Sequence, residues 1–313
     1  MRYHTFAVTA LVAGLISSGA MAQGLDLSGY ARFGLQYTDG GAGGWNDGEV
    51  APATRFRLNL RARTATDSGV GLEARLRAQA SNTQTVVFNA PRFTVSGGGL
   101  SVQLGNISGA FADTPGIDDR IGLTGLSAPD KAARIRGREA YDDYDSRGAG
   151  AAADNGVQLG ATLGPVTAAL SYSDRNPDGA VDRRRRVGGH LAWSAGGYTL
   201  AVGFQDSDIA EEDLVLMSAE AAFDGFSVDL QAAESRGVKK VVLRGSVNLT
   251  PDAALTAFVA HESGNPEATR QWNGTGGGIG IDHALGGGAN ARAGVVRRSD
   301  STVMADAGVI FRF

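Results

Sequence analysis

From Gln23 to Phe313 the chain repeats one theme: apolar and polar residues alternate, a turn follows, and the alternation resumes. Residues 55–63 are the clearest case. Phe56, Leu58, Leu60 and Ala62 share one face, while Arg55, Arg57, Asn59, Arg61 and Arg63 share the other. A period of two predicts a strand, because successive side chains leave a strand on opposite sides. After the turn Asp67-Ser68-Gly69 the alternation returns, with Val70, Leu72, Ala74, Leu76 and Ala78 opposed to Glu73, Arg75, Arg77 and Gln79. Similar segments cover residues 198–204, 215–223, 226–232, 241–249 and 279–285. The last runs through Val303, Ala305, Ala307, Val309, Phe311 and Phe313.

About sixteen such strands are predicted, joined alternately by short and long connections, a rhythm that suits barrels crossing an outer membrane. Tight turns fall near residues 67–69, 97–99, 164–165, 194–197, 224–225, 250–253 and 286–288. Longer connections fall near 39–52, 81–86, 106–154, 174–183, 206–213, 235–239, 263–275 and 299–301. One strand face carries almost only Leu, Val, Ala, Phe and Tyr, and the other tolerates adjacent arginines. A soluble sandwich would hide the first face, whereas a barrel shows it to lipid. The fold expected is therefore all-β, a transmembrane antiparallel β-barrel. Tyr37, Trp193, Phe204, Phe223, Phe226 and Phe313 lie near predicted strand ends and suit the aromatic girdles of such a barrel.

The first residues place the barrel outside the cytoplasm. Arg2 gives a positive start, residues 6–16 are apolar except for Thr9 and Gly14, and Ala20-Met21-Ala22 is a cleavage site of the A-x-A type. The apolar run is too short to span a bilayer, so residues 1–22 read as a cleavable signal peptide and 23–313 as a single barrel domain. No later segment approaches the ~20 apolar residues of a membrane helix, and a mean hydropathy of −0.11 is compatible with strands that are apolar on one face only. The outer membrane of a Gram-negative bacterium is the expected location. There is no cysteine, so an exported chain of this length relies on a closed hydrogen-bond ladder in place of disulfides. The net charge of −4 becomes −5 once Arg2 is removed, which speaks against a nucleic-acid partner. Glycine is abundant at 46 residues and proline scarce at 8, and without collagen periodicity the glycines mark turns, kinks and close approaches.

Residues 106–154 are too long for an ordinary loop. Within them Ser127-Ala128-Pro129-Asp130 reads as a helix start, with residues 131–140 as about two helical turns. Asp142, Asp143 and Asp145, with Tyr141 and Tyr144, offer oxygen ligands to calcium, though without EF-hand spacing. No other cofactor is expected. Arg183-Arg184-Arg185-Arg186 would lie at the outer rim, either solvated or bound to lipopolysaccharide phosphates. Catalysis finds little support: His190, His261 and His283 are widely spaced, and neither a G-x-S-x-G elbow nor a P-loop is present.

Four segments resemble a known family in order and spacing. They are the opening strand at residues 25–32, the hairpin at 66–73, residues 98–106 leading into the long loop, and the terminal segment 304–313. The chain resembles the sixteen-stranded general porins of Gram-negative bacteria, particularly the alphaproteobacterial porins of the Rhodobacter type. That resemblance implies a homotrimer of water-filled channels passing small hydrophilic solutes and ions. It implies that Val309, Phe311 and Phe313 form the signal read by the barrel-assembly machinery. It also implies that the third long loop, 106–154, folds into the lumen opposite an arginine wall. Arg57, Arg61, Arg63, Arg75, Arg77 and Arg92 would make that wall, faced by Asp113, Asp118 and Asp119. Lys131, Arg134, Arg136 and Arg138 on the same loop leave the sign of ion selectivity open. Rival readings on the same scaffold are a substrate-specific channel and a non-conducting structural or adhesive barrel.

Overall fold

A computed structural model describes residues 24–39, 49–82, 84–117, 121–135, 138–139, 155–175, 184–208 and 212–313. In chain order the strands are β1 (Gly24–Asp39), β2 (Glu49–Pro52), β3 (Arg55–Ala65), β4 (Gly71–Ser81), β5 (Gln84–Phe88), β6 (Arg92–Gly97) and β7 (Leu100–Gly105). A two-residue pair, β8 (Arg134–Ile135) and β9 (Arg138–Glu139), follows within the long loop. Then come β10 (Asn155–Leu163), β11 (Val166–Arg175), β12 (Arg184–Ala195), β13 (Tyr198–Ser207), β14 (Leu214–Phe223) and β15 (Phe226–Ser235). The last are β16 (Val238–Thr250), β17 (Ala253–Ser263), β18 (Gly274–Gly286), β19 (Ala289–Arg297) and β20 (Val303–Arg312).

All but β8 and β9 belong to one 18-segment sheet. Both β2 and β3 pair with β1, and both β5 and β6 pair with β4, so each couple is one interrupted stave. Pro52 stands at the first interruption and Pro91 at the second, where a residue without an N–H ends a run of ladder bonds. The barrel thus has sixteen antiparallel staves. It closes where β1 pairs with β20, and at the seam Gly29 and Phe313 exchange backbone hydrogen bonds of 2.8 and 3.2 Å. With no free edge, every stave finds backbone partners on both sides, as a bilayer requires.

The outer face is the apolar one. Along β13, Tyr198, Leu200, Val202 and Phe204 are exposed while Ala201, Gly203 and Gln205 between them are buried. Tyr198, Phe223 and Phe226 cluster at the tight-turn end, the last two stacked at 4.6 Å. Phe313 stacks on Phe56 at 5.8 Å, and Phe311 and Phe313 both point outward. All seven tight turns occur where the alternation predicts them. The connection expected to be long at 235–239 is a two-residue turn, Arg236-Gly237, with Arg236 at φ 47°.

Two other expectations need correction. The described residues of the expected helix over 131–140, namely 131–135 and 138–139, are not helical: Ala128–Asp130 is a single 3-10 turn, and Lys131 is extended at φ −57°, ψ 149°. Lys131, Ala132 and Ala133 are buried against the wall, so tertiary contact overrides a marginal local preference. Nor do Arg185 and Arg186, the described side chains of the run at 183–186, share one face. Because residues from Arg184 onward are strand, Arg185 points outward and Arg186 inward, where it meets Glu212 at 2.8 Å.

Candidate functional site

The described part of the long loop, 106–117 and 121–135, lies inside the barrel. Its partners all come from the strand face opposite the exposed apolar residues. Ser171 Oγ accepts from the Ala110 N–H at 2.8 Å, and His190 Nδ1 donates to the Ala110 carbonyl at 2.7 Å. Ser218 Oγ and Gln231 Nε2 donate to the carbonyls of Pro115 and Gly116 at 2.9 and 2.6 Å. Asp306 on β20 accepts three bonds at the loop's far side: from Leu123 N–H at 2.9 Å, Thr124 N–H at 2.7 Å and Thr124 Oγ1 at 2.6 Å. Arg32 donates to the Leu123 carbonyl at 3.2 Å, and Lys240 Nζ to that of Arg134 at 2.7 Å.

Apolar contacts reinforce these bonds. Phe111, Ile117, Ile121, Leu126 and Ile135 pack with Leu214, Leu216, Val242, Phe258 and Val296 of the inner wall. Wall glycines form the sockets. A Cβ on Gly188 or Gly203 would meet Phe111, one on Gly280 or Gly294 would meet Ile121, and one on Gly34 or Gly308 would meet Leu123. The described part of the loop therefore covers the inner face from β10 round to β20 and β1 and leaves β3 to β7 uncovered.

That open face carries the arginines. Arg61, Arg75 and Arg92 are direct cross-strand partners on β3, β4 and β6, so three guanidiniums start from one level of the wall. Directly opposite neighbours lie about 5 Å apart, and like charges at that spacing repel unless hydrated or countered. Arg92 is repelled by Arg75 and Arg61 and attracted by Glu73 and by Asp113 of the loop. Asp113 is held by Gln158 Nε2 of β10 at 2.6 Å. Arg77 bonds Asn59 at 3.1 Å one level further from the tight turns. Arg57, a further level on, bonds Gln79 at 2.9 Å and covers the Tyr30 ring at 5.4 Å. Arg63 lies a level nearer the tight turns, in an exposed 2.8 Å pair with Glu73.

The structure thus brings Arg61, Arg75, Arg92 and Asp113 together and sets Arg57, Arg77 and Arg63 above and below them. Asp118 and Asp119 lie outside the described residues, as do the calcium candidates at 141–145 and residues 1–23. The loop's anchors, Ser171, His190, Ser218, Gln231, Lys240 and Asp306, were not singled out from the sequence. Their signal was present as isolated polar groups and glycines on the inward parity of β11 to β20.

Residues 7–303 match the Gram-negative porin family. A porin of Fuscovulum blasticum is 29% identical over 306 residues, covering 92% of this chain and 100% of that relative. A triple mutant of the Rhodopseudomonas blastica porin has a similar structure, with a TM-score of 0.77 at 26% identity, covering 93% of this chain and 100% of the other. A second mutant of the same porin gives the same values.

Proposed function

The chain belongs to the Gram-negative porin family and forms an outer-membrane channel for passive diffusion; from that premise, we propose that solutes pass between the arginine wall of β3 to β6 and the inward-folded loop. The observation that carries this reading is the register Arg61, Arg75, Arg92 on the half of the wall that the described part of the loop leaves bare. Cations on one side and the Asp113 carboxylate near Arg92 make a field across the lumen. Such a field orders water, so a small hydrophilic solute exchanges hydration for wall contacts while an apolar one must displace that water. Among the described side chains, eight arginines on the inward face of β1 to β6 (Arg32, Arg55, Arg57, Arg61, Arg63, Arg75, Arg77 and Arg92) stand against Asp26 and Glu73, and on that balance the passage favours anions.

The test is reversal potential across a planar bilayer under a salt gradient. Replacing Arg61, Arg75 and Arg92 together with glutamine shifts selectivity toward cations. An unchanged reversal potential refutes the path. Three further assignments belong to the same reading and rest on the family resemblance. The working unit is a homotrimer, Val309, Phe311 and Phe313 mark the chain for barrel assembly, and the signal is cleaved after Ala22. The outward, rim-level placement of Phe313 supports the second.

A further inference from the structure

Where the loop returns to the wall it buries a second cluster of charge, away from the arginine row. Asp130, at the end of the 3-10 turn, is 2% exposed. Its Oδ1 lies over Gly276 of β18, 2.9 Å from where a Cβ would stand, so only glycine leaves room for the carboxylate. The Ser299 N–H donates to Asp130, and Asp130 Oδ2 is buried with no hydrogen-bond partner. Nearby, Lys240 of β16 pairs with Glu262 of β17 at 3.1 Å, both nearly fully buried. Glu262 is completed by Asn265 Nδ2 at 2.8 Å, and Lys240 also holds the Arg134 carbonyl.

The charged groups around Asp130 come from each packed element: Lys240 from β16, Glu262 from β17, Arg298 and Asp300 from the β19–β20 turn, and Arg134 from the loop itself. Lys131, its chain neighbour, is buried beside it. The cations named outnumber the anions, yet none of them is in ion-pair contact with Asp130: Lys240 is turned to Glu262 and to the Arg134 carbonyl, and the Ser299 N–H is the donor that reaches the Asp130 carboxyl. Asp130 Oδ2 is buried without a donor or a touching cation, and burial of that oxygen favours the protonated carboxyl.

We propose that Asp130 is a proton-operated catch for the loop: with its carboxyl protonated the loop is held on β16 to β19, and with it ionised residues 121–135 leave the wall more often and widen the lumen. The proposal rests on the path through the loop-lined lumen given above. Its sign follows from linkage. Burial outweighs attraction by Lys240 and Arg298 and pushes the carboxyl up to about 6 from 3.8. The seated loop therefore binds the proton more tightly than a released, hydrated loop does, and acid favours seating. Between pH 7.5 and 5 the seating equilibrium gains about tenfold.

Steady single-channel conductance of the wild-type protein, recorded at both pH values in one salt, is the test. Brief excursions to higher conductance should be about tenfold more frequent at pH 7.5 than at pH 5. Asp130→Asn, neutral and of the same shape, should hold the low frequency at both. Excursions independent of pH in the wild type, or a pH dependence that survives Asp130→Asn, overturn the catch while leaving the channel intact. Absence of any steady conductance would instead overturn the path on which it rests. A measurement independent of current uses the lack of cysteine. A thiol introduced as Ala133→Cys, at a position fully buried while the loop is seated, should react with a small thiosulfonate at pH 7.5 at least tenfold faster than it does when combined with Asp130→Asn. Equal rates overturn the proposal.

Discussion

Asp306 is the strongest single tether between the loop tip and the wall, and its removal should enlarge the passage. The carboxylate accepts from Leu123 N–H, Thr124 N–H and Thr124 Oγ1. Gly122, at φ 81°, lets the chain lie flat on it, since a Cβ there would strike the carboxylate. Hydrogen bonds to a charged acceptor contribute about 1.5–3 kcal/mol each when buried. Thr124 is only half-buried, so water replaces part of two of them. A net loss of about 3 kcal/mol follows for Asp306→Ala, roughly a hundredfold in the tip's docking equilibrium. Asp306→Asn keeps the shape but turns an amide NH2 toward N–H donors, so it should fall between wild type and alanine. The assay is the swelling rate of proteoliposomes in sugars of increasing size, with conductance alongside. Both should rise in the alanine variant, most for the larger sugars. A variant that folds, judged by its heat-modifiable electrophoretic band, yet keeps wild-type size exclusion would refute the tether.

Two other perturbations probe the loop's seat. Gly203→Leu puts a side chain where Phe111 and Thr114 now lie, so it should unseat the first turn of the loop at a cost of about 2–3 kcal/mol in lost Phe111 burial. Conductance should increase while the barrel remains folded. Lys240→Met leaves Glu262, 2% exposed in its side chain, without its cation. The urea midpoint for unfolding from liposomes should fall by the equivalent of about 3–5 kcal/mol, and adding Glu262→Gln should recover most of it.

The staves were legible because alternation is a property of each strand alone. Phe56, Leu58 and Leu60 against Arg57, Asn59 and Arg61 need no knowledge of partners. Register was legible only in part. That Arg61, Arg75 and Arg92 share a level depends on the Thr66–Val70 turn and on the break at Pro91, neither of which spacing alone resolves. The loop's fold was least legible: Ser127 to Asp130 carries a helix-start signal, but burial of Lys131 to Ala133 decides the backbone instead.

Yet the loop leaves a footprint in strands far from it. A stave whose inner face meets only water has no use for a large apolar residue there, since burial is what makes such a residue favourable. Arg55 to Arg63 on β3 obey that rule. Leu214 and Leu216, Val242, Phe258 and Val296 break it, each apolar on the inward parity beside an apolar outward neighbour, and all are buried. The inward glycines at 188, 203, 280, 294 and 308 lie on β12, β13, β18, β19 and β20, each with a loop atom close to where a Cβ would stand. Strands apolar on both faces, with glycines between, therefore mark where the loop rests. Charge alone does not separate seat from passage, since the loop's seat also holds Lys240, Glu262 and Asp306 on its inner face. The inward apolar residues and glycines run from β12 to β20, between the anchor of Ala110 on β11 and that of Thr124 on β20, while the inward faces of β3, β4 and β6 carry the row of Arg61, Arg75 and Arg92.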